Sequence, residues 1–385
     1  MSAQSLPGNN RVQSIDILRG AVMVLMAIDH VRVYSGLPAG GLDPGIFFTR
    51  WITHFCAPAF VFFAGTSAFL CGKKLNDTKT LARFLVTRGL MLVILELTLI
   101  RFGWTFNFNY SEFILAGVIW MIGWCMVLLA ILVRFRPAMV GVIGLAIILL
   151  QQGFSLIPRI LPESLKTLVG GFLEFIYSSG MQSLPGIRVL YVIVPWIGVM
   201  AAGYGFGTIL LLGVEKRKQL CIRIGLAATL IFLIVGTILI LSKPAPSDAP
   251  SFIFRLLNQQ KYPASQLFLM MTLGPMIALI PLAEKASGWV GNALTILGRV
   301  PFFYYLLHIP LIHISAIIVN FIRVGALHQE WYTYAPFTSI PEESRWSLFL
   351  LYTAFVIDVI ILYLACRWYV NYKSSHPEKK WLRYI

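Results

Sequence analysis

The amino-acid sequence predicts an all-α polytopic membrane protein with about ten transmembrane helices and with both termini in the cytoplasm. Of its 385 residues, 58% are hydrophobic and only 12% are charged, and the mean hydropathy is +0.78. A water-soluble domain of this length needs more charge to cover its surface, whereas an integral membrane protein does not. The helix count rests on the apolar stretches, and the orientation rests on the charges between them.

The apolar stretches that give the helix count are long enough, or nearly long enough, to cross a bilayer, which requires about 20 residues. They are Ser14–Tyr34, Trp51–Cys71, Phe84–Trp104, Glu112–Val133, Ala138–Phe154, Val189–Leu212, Ile224–Leu241, Gln266–Leu282, Pro301–Phe321 and Leu348–Tyr369. The first stretch is interrupted by charge and has no small-residue cleavage site. We therefore interpret it as a retained anchor and not as a removed signal peptide.

The connectors alternate between two kinds, and this alternation predicts the orientation. One kind is short and basic, as in KKLNDTKTLAR and EKRKQLCIR, and the other is longer and rich in Pro, Gly, Ser and Asn. With ten helices, every basic connector lies on one side, which then holds 20 of the 31 Lys and Arg residues. The positive-inside rule assigns that side to the cytoplasm. Residues 1–13 then form a cytoplasmic tail, residues 14–370 a single transmembrane domain, and residues 371–385 a basic cytoplasmic tail.

Charge and cysteine content exclude other classes of protein. The net charge of +15 does not indicate nucleic-acid binding, because no basic run is interleaved with exposed aromatic residues. The five cysteines have no CxxC or zinc spacing, and most lie inside apolar stretches, which predicts small core residues and not disulfides. The predicted surroundings are therefore the lipid bilayer. The oligomeric state stays open, with a homodimer as one option.

The first apolar stretch carries five titratable side chains, Asp16, Arg19, Asp29, His30 and Arg32. On a helix, Arg19 and His30 share a face and are separated by about 16 Å. The spacing also allows Asp16 to pair with Arg19 and Asp29 to pair with Arg32. Ionisable groups in hydrocarbon usually mark a pathway or a site, and imidazole suits proton transfer near neutral pH. The structural alternative is that Arg19 reaches lipid headgroups and that Asp29 and Arg32 form an interfacial ion pair.

Three further histidines lie in apolar stretches. His54 lies one turn from Arg50 near the outer end of the second stretch, where an interfacial role is the alternative. His308 lies near mid-membrane, and His313, about 7 Å further out, reaches the depth of His30. We therefore expect three histidines from three helices to converge in the outer half of the membrane. Because HxH and HxxxH spacings are missing, we predict no bound metal and no prosthetic group.

Several motifs resemble those of one family. The segments SIDILRG…MAIDH, FVFFAGTSAFL, PWIGVMAAGYGFG, KYPASQLFLMMTLGP and GRVPFFYYLLHIPLIH resemble bacterial membrane proteins related to the catalytic domain of heparan-α-glucosaminide N-acetyltransferase. The similarity runs from about Arg11 to the C-terminal KKWLRYI. The Arg-x10-His spacing of Arg19 and His30 is also similar to that of bacterial membrane O-acyltransferases that modify surface polysaccharides.

The resemblance implies transmembrane acetyl transfer from acetyl-CoA, a co-substrate bound from the cytoplasm, to an amino sugar on the far side. In heparan-α-glucosaminide N-acetyltransferase, which is a lysosomal enzyme, the proposed catalytic His follows the first helix. Here the segment Val33–Thr53 contains no His, and His30 aligns with an Asn of that enzyme. The resemblance therefore transfers neither the catalytic role nor the identity of the acceptor.

The predicted site has a catalytic pair, a donor side and an acceptor side. His30 is the predicted general base, oriented or charge-stabilised by Asp29, and a transient acetyl-His is the alternative mechanism. Because basic side chains suit phosphate, the CoA donor is predicted to bind near Asp16, Arg19, Lys285 and Arg299. The predicted acceptor-side residues are Arg50, His54, His308, His313, Asn109 and Glu112.

The sequence thus predicts a multi-pass acyltransferase of the bacterial cytoplasmic (inner) membrane. It moves an acyl group from cytoplasmic acyl-CoA to an extracytoplasmic acceptor, either the amine or a hydroxyl of a carbohydrate. A proton-coupled transporter or permease of a small polar solute is the alternative, because intramembrane His, Asp and Arg also suit proton relays. A third class is a non-catalytic membrane assembly protein.

Overall fold

The computed structural model describes residues 12–41, 43–177, 183–184, 186–242, 244 and 249–383. The predicted N-terminal tail, residues 1–13, therefore lies almost entirely outside the described residues. Parts of the connectors 155–188 and 243–251, and the last two residues, also lie outside them. The domain boundaries stay predictions.

The described residues fold mainly into α-helices. They are α1 (Gln13–Ser35), α2 (Pro44–Trp51), α3 (Cys56–Leu75), α4 (Thr78–Leu95), α5 (Arg101–Thr105), α6 (Val118–Leu132), α7 (Pro137–Leu150), α8 (Ile157–Ile160), α9 (Glu163–Ile176), α10 (Trp196–Leu210), α11 (Val214–Leu241), α12 (Phe252–Leu257), α13 (Gln266–Ala278), α14 (Ile280–Ala283), α15 (Gly288–Arg299), α16 (Pro301–Val324) and α17 (Leu348–Ser375). Shorter 3₁₀ segments are Ile52–Phe55, Gln151–Leu156, Gln329–Tyr332, Glu342–Ser344 and Lys380–Arg383. The 3₁₀ segment Ile52–Phe55 joins α2 to α3, and a π-helical turn, Glu96–Ile100, joins α4 to α5. Each pair therefore forms one continuous rod.

The helices confirm an all-α fold of the membrane type. Each predicted apolar stretch overlaps a helix or a helical rod. Within the part of the chain that the structure describes, six of these are long and apolar enough to cross a membrane: Pro44–Leu75, Pro137–Leu156, Val214–Leu241, Gln266–Ala283, Pro301–Val324 and Leu348–Ser375. Helices α6 and α10 are apolar but shorter, and α1 carries the charges described above. Length and composition alone thus support six spans, and they do not confirm ten.

The surfaces of α7 and α11 show which faces meet lipid. Val142, Leu145 and Leu149 are exposed along α7, and Leu230 and Ile234 are exposed along α11. These residues recur every three or four positions, so each set forms a stripe along its helix. Continuous apolar stripes facing water would be unfavourable, whereas hydrocarbon solvates them well. The stripes therefore face the bilayer.

The connector before α4 shows how the sequence begins a helix at the edge of this bundle. The Asp77 carboxylate accepts hydrogen bonds from the backbone N–H groups of Lys79 and Thr80 at 3.1 and 3.0 Å. It thereby satisfies two amides that have no partner within the first turn. Together with the Thr80 hydroxyl, these bonds lower the pKa of Asp77 below its ordinary value. Asp77 thus fixes the start of the α4–α5 rod.

Close packing between α1, α15 and α16 sets the register of the site. Gly20 contacts the backbone of Leu294, and Gly298 contacts the backbone of Asp16, so no Cβ fits at either glycine. This pattern of contacts makes α15 antiparallel to α1. The chain turns after Arg299, and α16 then runs parallel to α1. Arg299 consequently lies near the level of Asp16, in the first turn of α1.

A small sheet lies before α6. Its strands are β1 (Ile114–Ala116), β2 (Ser183–Leu184) and β3 (Ile187–Val189). Strand β3 is central, parallel to β1 and antiparallel to β2, with Leu115 opposite Arg188. The sheet leads into α6 and thereby positions the first turn of that helix.

Candidate active site

A cavity of about 630 Å³ lies where α1, α16 and the α4–α5 rod meet the α2–α3 rod. We call it the His30 cavity. Its lining includes the ionisable residues Asp29, His30, Arg32, Arg50, His54 and Lys261. Three of the six histidines of the chain therefore lie in this cavity or directly behind it, because His308 contacts His30.

His30 and His308 form a hydrogen-bonded dyad. His30 Nδ1 lies 2.6 Å from His308 Nε2, and His308 Nδ1 lies 2.7 Å from the carbonyl oxygen of Tyr305. A carbonyl oxygen only accepts, so His308 Nδ1 carries the proton and donates it. In a neutral His308, Nε2 is then the acceptor for the Nδ1–H of His30. The lone pair of His30 therefore lies on Nε2, the nitrogen available for proton transfer.

Aromatic packing fixes the orientation of the His30 ring. The ring stacks on His308, with centroids 4.8 Å apart, and meets Trp104 edge-on at the same distance. His308 is fully buried, while His30 is partly exposed at the cavity wall. In this dyad the buried His308 thus orients the ring of His30, and His30 is the member that is accessible from the cavity.

Asp29 contacts Arg32 and not the His30 ring. Its Oδ1 accepts hydrogen bonds from Nε and Nη2 of Arg32 at 3.0 and 2.9 Å, which confirms the predicted ion pair. Arg32 also donates to the carbonyl oxygen of Leu37 at 2.9 Å and thereby holds the chain that leaves α1. Any effect of Asp29 on His30 therefore acts through its charge.

A second group of polar residues, Arg50, His54 and Lys261, lines the same cavity. Arg50 and His54 come from the α2–α3 rod. Lys261 lies in the connector before α13, where its ammonium lies 5.8 and 5.2 Å from the ring centroids of Tyr191 and Tyr262. Burial alone would lower the pKa of Lys261, but Tyr262 and Asp29 raise it above its ordinary value. Lys261 is therefore charged at neutral pH.

Glu96 also lines the His30 cavity, but its carboxylate is used by the fold. Its Oε2 accepts hydrogen bonds from the backbone N–H groups of Ile119 and Trp120 at 2.8 and 3.2 Å. These amides belong to the first turn of α6, so the carboxylate caps that helix from a neighbouring element. Glu96 begins the π-helical turn, and turns of this kind occur often at functional sites.

A second cavity, of about 340 Å³, lies further toward the N-terminus of α1. We call it the Arg19 cavity. Four cationic residues line it: Arg19, Arg88, Arg299 and Lys373. Arg19 Nη2 donates to Ser67 Oγ at 2.6 Å, and Nη1 lies 3.7 Å from the Asp16 carboxylate, which confirms the predicted pair. The rest of the lining is mostly apolar, with residues such as Leu85, Ile122 and Phe302.

Val118 and Tyr305 line both cavities and form the wall between them. The predicted polar face of α1 therefore borders two adjoining cavities, with Arg19 at one and His30 at the other. Met23 and Met26, which lie between Arg19 and His30 on that face, are buried in the core. A reactant that reaches from Arg19 to His30 must pass this wall.

The prediction that His313 lies at the depth of His30 is wrong, because His308 occupies that level. The prediction counted helical rises from Arg299, but Val300, which joins α15 to α16, has a non-helical backbone, so the count does not hold across that junction. His313 packs instead between Tyr34, Phe106 and Tyr332, 4.0 to 5.1 Å from their ring centroids. It lines neither cavity.

The other predicted donor and acceptor residues do not line the cavities. Lys285 lies between α14 and α15, and Asp16 acts through Arg19. Asn109 belongs to a connector that wraps around the Arg101 guanidinium, which donates to its carbonyl oxygen at 2.6 Å. Glu112 accepts a hydrogen bond from the Tyr334 hydroxyl at 3.3 Å. A binding role for these four residues stays a prediction.

Several site residues were not predicted from the sequence. Arg88 is a charged residue inside an apolar stretch, which is the signal that identified Arg19. Lys261 lies inside the KYPASQLF motif, but one lysine in a polar connector carries no distinct pattern. Val118 and Tyr305 have ordinary apolar and aromatic surroundings in the sequence, so only the fold identifies them as the shared wall.

A comparison with known protein families identifies the family of this chain. Residues 11–240, more than half of the chain, match the family described as heparan-alpha-glucosaminide N-acetyltransferase, catalytic. The chain belongs to this family. A search of curated proteins returns no match.

Membership in this family makes the chain a membrane protein of the acetyltransferase type. The matched region contains Arg19 and His30, and it ends before Lys261, Tyr305 and His308. The motifs KYPASQLFLMMTLGP and GRVPFFYYLLHIPLIH thus lie beyond the match, and their resemblance to the family stays a prediction. The buried member of the dyad therefore comes from the region beyond the match.

Proposed function

We propose that this protein is a ten-helix acyltransferase of a bacterial cytoplasmic membrane, with both termini in the cytoplasm. It transfers the acetyl group of cytoplasmic acetyl-CoA to an amine or hydroxyl of a carbohydrate outside. One observation carries the proposal. A histidine with a free Nε2 lies on the wall of one cavity, and that cavity adjoins a second one lined by four cations.

The directions of the helices support the proposed topology. Helix α1, the α4–α5 rod and α16 all run from the Arg19 cavity toward the His30 cavity. Helices α3 and α6 run the opposite way. If ten spans alternate in direction, the first, third and ninth spans, which are α1, the α4–α5 rod and α16, must run the same way. The second and fourth spans, which are the α2–α3 rod and α6, must run the other way. With the positive-inside orientation, the Arg19 cavity faces the cytoplasm and the His30 cavity faces outward.

The donor fits the Arg19 cavity. Guanidinium groups bind phosphates with paired, charge-assisted hydrogen bonds, so Arg19, Arg88 and Arg299 suit the phosphates of CoA. Eleven helical residues separate Arg19 from His30, which corresponds to about 16 Å. The extended pantetheine arm of acetyl-CoA bridges such a span. The thioester then passes between Val118 and Tyr305, and the nucleotide stays at the cationic end.

The chemistry follows from the protonation of the dyad. As the acceptor nitrogen or oxygen attacks the thioester carbonyl, His30 Nε2 takes its proton. The tetrahedral intermediate collapses, the C–S bond breaks, and the imidazolium returns the proton to the CoA thiolate. During this cycle His308 accepts the Nδ1–H of His30 and stabilises the imidazolium, as the third member of a catalytic triad does. The charge of Asp29 favours the same form.

Purified protein incubated with radiolabelled acetyl-CoA and a panel of amino sugars tests the proposal. We expect labelled acetyl sugar and free CoA thiol to appear in equal amounts. The proposal fails if acetyl-CoA stays intact while the same protein, reconstituted into vesicles, moves a polar solute in response to a proton gradient. That result would support the transporter alternative.

A further inference from the structure

The charges of the His30 cavity do not balance. Arg32, Arg50 and Lys261 line it together with two carboxylates, Asp29 and Glu96. Asp29 also acts on Lys261 through its charge, but its ion pair, at 2.9 Å, is with Arg32. The Glu96 carboxylate accepts backbone amides of α6 at 2.8 and 3.2 Å. Among the described residues, no carboxylate forms an ion pair with Arg50 or Lys261.

Both unpaired cations are partly buried and belong to packed segments. Arg50 lies in the last turn of α2, one residue from Trp51, whose ring packs edge-on against Phe55 at 5.4 Å. The connector that carries Lys261 is anchored by Tyr262, whose ring meets Tyr191 edge-on at 5.1 Å. Nearby, Phe47 of α2 stacks on Phe254 of α12 at 4.4 Å. The Phe47–Phe254 contact joins α2 to the helix that precedes the Lys261 connector, and both cations line the same cavity.

Two cations without a carboxylate partner define the chemistry of a complementary ligand. A charge that is partly withdrawn from water is unfavourable unless an opposite charge compensates it. In a cavity with low-dielectric walls, an excess of positive charge also focuses the electric field and raises the local concentration of anions. The apolar and aromatic residues around them strengthen both effects.

We propose that the acceptor carries an anionic group, a carboxylate or a phosphate ester, which Arg50 and Lys261 bind while its amine or hydroxyl faces His30. The acceptor is then an acidic sugar and not a neutral one. This inference rests on the proposed function, because it names the substrate class of the same site. In this inference Lys261 contributes to substrate specificity, and Arg50 binds a defined part of the acceptor, its anionic group.

Equilibrium binding tests the inference independently of turnover. The probes are glucosamine, glucosamine 6-phosphate and muramic acid, which all carry the same amine and differ in having no anion, a phosphate or a carboxylate. We expect the purified full-length protein to bind at least one anionic probe at least about 10-fold more tightly than glucosamine, as one charge-assisted contact typically provides. The preference should weaken with added salt.

Substitutions test whether Arg50 and Lys261 cause the preference for anionic probes. Arg50→Gln and Lys261→Gln should each remove most of the preference, with an increase of about 10-fold in the Kd of the anionic probe and little change for glucosamine. Arg323→Gln, which removes an exposed cation outside both cavities, is the matched control and should preserve the preference. The Kd of CoA should be unchanged in all three variants.

The outcomes separate this inference from the proposed function. Equal binding of neutral and anionic probes overturns the inference, even if acetyl transfer occurs. An increased Kd of CoA in Arg50→Gln and Lys261→Gln also overturns it, because the two cations would then serve the donor. An anionic preference that depends on Arg50 and Lys261 supports it, even if no acetyl group is transferred and the proposed function fails.

Discussion

His30 Nδ1 lies 2.6 Å from His308 Nε2, and this contact joins α1 to α16 across 278 residues of sequence. The buried imidazole is itself fixed by the Tyr305 carbonyl oxygen at 2.7 Å. The two bonds assign a proton to each Nδ1 and leave Nε2 of His30 as the acceptor. This arrangement is that of a catalytic triad in which a neutral histidine takes the place of the carboxylate.

The first prediction concerns the buried member of the dyad. His308→Ala removes the acceptor for the His30 Nδ1–H, so the His30 ring loses its fixed tautomer and orientation. We expect acetyl transfer to fall by about 10- to 100-fold, with unchanged CoA affinity. His308→Gln keeps an acceptor oxygen and should recover part of the rate. Initial rates with labelled acetyl-CoA measure both variants.

His328→Gln provides the control for the His308 variants. His328 stacks on Trp331 at 4.0 Å, pairs with Glu330, and lines neither cavity. Its substitution should leave the rate within about two-fold, as expected for a surface change remote from the site. Equal activity of His308→Ala and wild type would mean that the dyad contact has no part in turnover.

The second prediction concerns the donor phosphates. Arg19→Ala removes a guanidinium from the Arg19 cavity, and a charge-assisted hydrogen bond is worth about 1.5–3 kcal/mol. We therefore expect the Kd of CoA to rise by about 10- to 100-fold. Arg223→Ala, an exposed arginine of α11 outside both cavities, is the control. Unchanged CoA affinity in a folded Arg19→Ala protein would assign Arg19 to lipid headgroups.

The third prediction concerns the wall between the cavities. Val118→Phe adds bulk where the thioester must pass, while Arg19, Arg88 and Arg299 are untouched. We expect transfer to fall by at least about 10-fold with the Kd of CoA within a few fold, because a misplaced reactant loses its near-attack geometry. Val118→Thr, which keeps the volume, should preserve the rate. Normal transfer by Val118→Phe would exclude a reaction path along this wall.

Local features of the site could be predicted from the sequence, and long-range ones could not. The pairs Asp16–Arg19 and Asp29–Arg32 follow from i,i+3 spacing, which depends only on helix geometry. The choice of His308 over His313 depends on the non-helical junction at Val300, which shifts the register of α16 against α1. No periodicity in the chain encodes that shift. The charge imbalance that leaves Arg50 and Lys261 unpaired likewise depends on contacts between distant segments.

The fourth prediction concerns topology. In a cysteine-free background, a cysteine at Lys79 or Lys216 should react with a membrane-impermeant maleimide only after the cell is opened. A cysteine at Glu343 should react in intact cells. All three positions are exposed, so accessibility depends on the side of the membrane. Labelling of all three from the same side would contradict the arrangement of ten helices with cytoplasmic termini.

The last prediction concerns His30 itself. Its Nε2 is the free acceptor at the cavity wall, about 16 Å along α1 from Arg19. Loss of a general base typically costs about 10²–10⁴-fold in rate. We therefore expect both His30→Ala and His30→Asn to be nearly inactive, with CoA affinity within a few fold of wild type. Asn keeps polarity and similar size, but its amide cannot take the proton.

Rapid-mixing experiments without acceptor add a second readout for His30. A transient acetyl-His30 would give a burst of free CoA in wild type and none in His30→Asn, whereas direct transfer gives no burst in either. If His30→Asn keeps most of the transfer activity, His30 is a hydrogen-bonding spacer. The base must then be another group at this cavity, and His54 is the remaining histidine that lines it. The Asn that aligns with His30 in the lysosomal enzyme would fit that outcome.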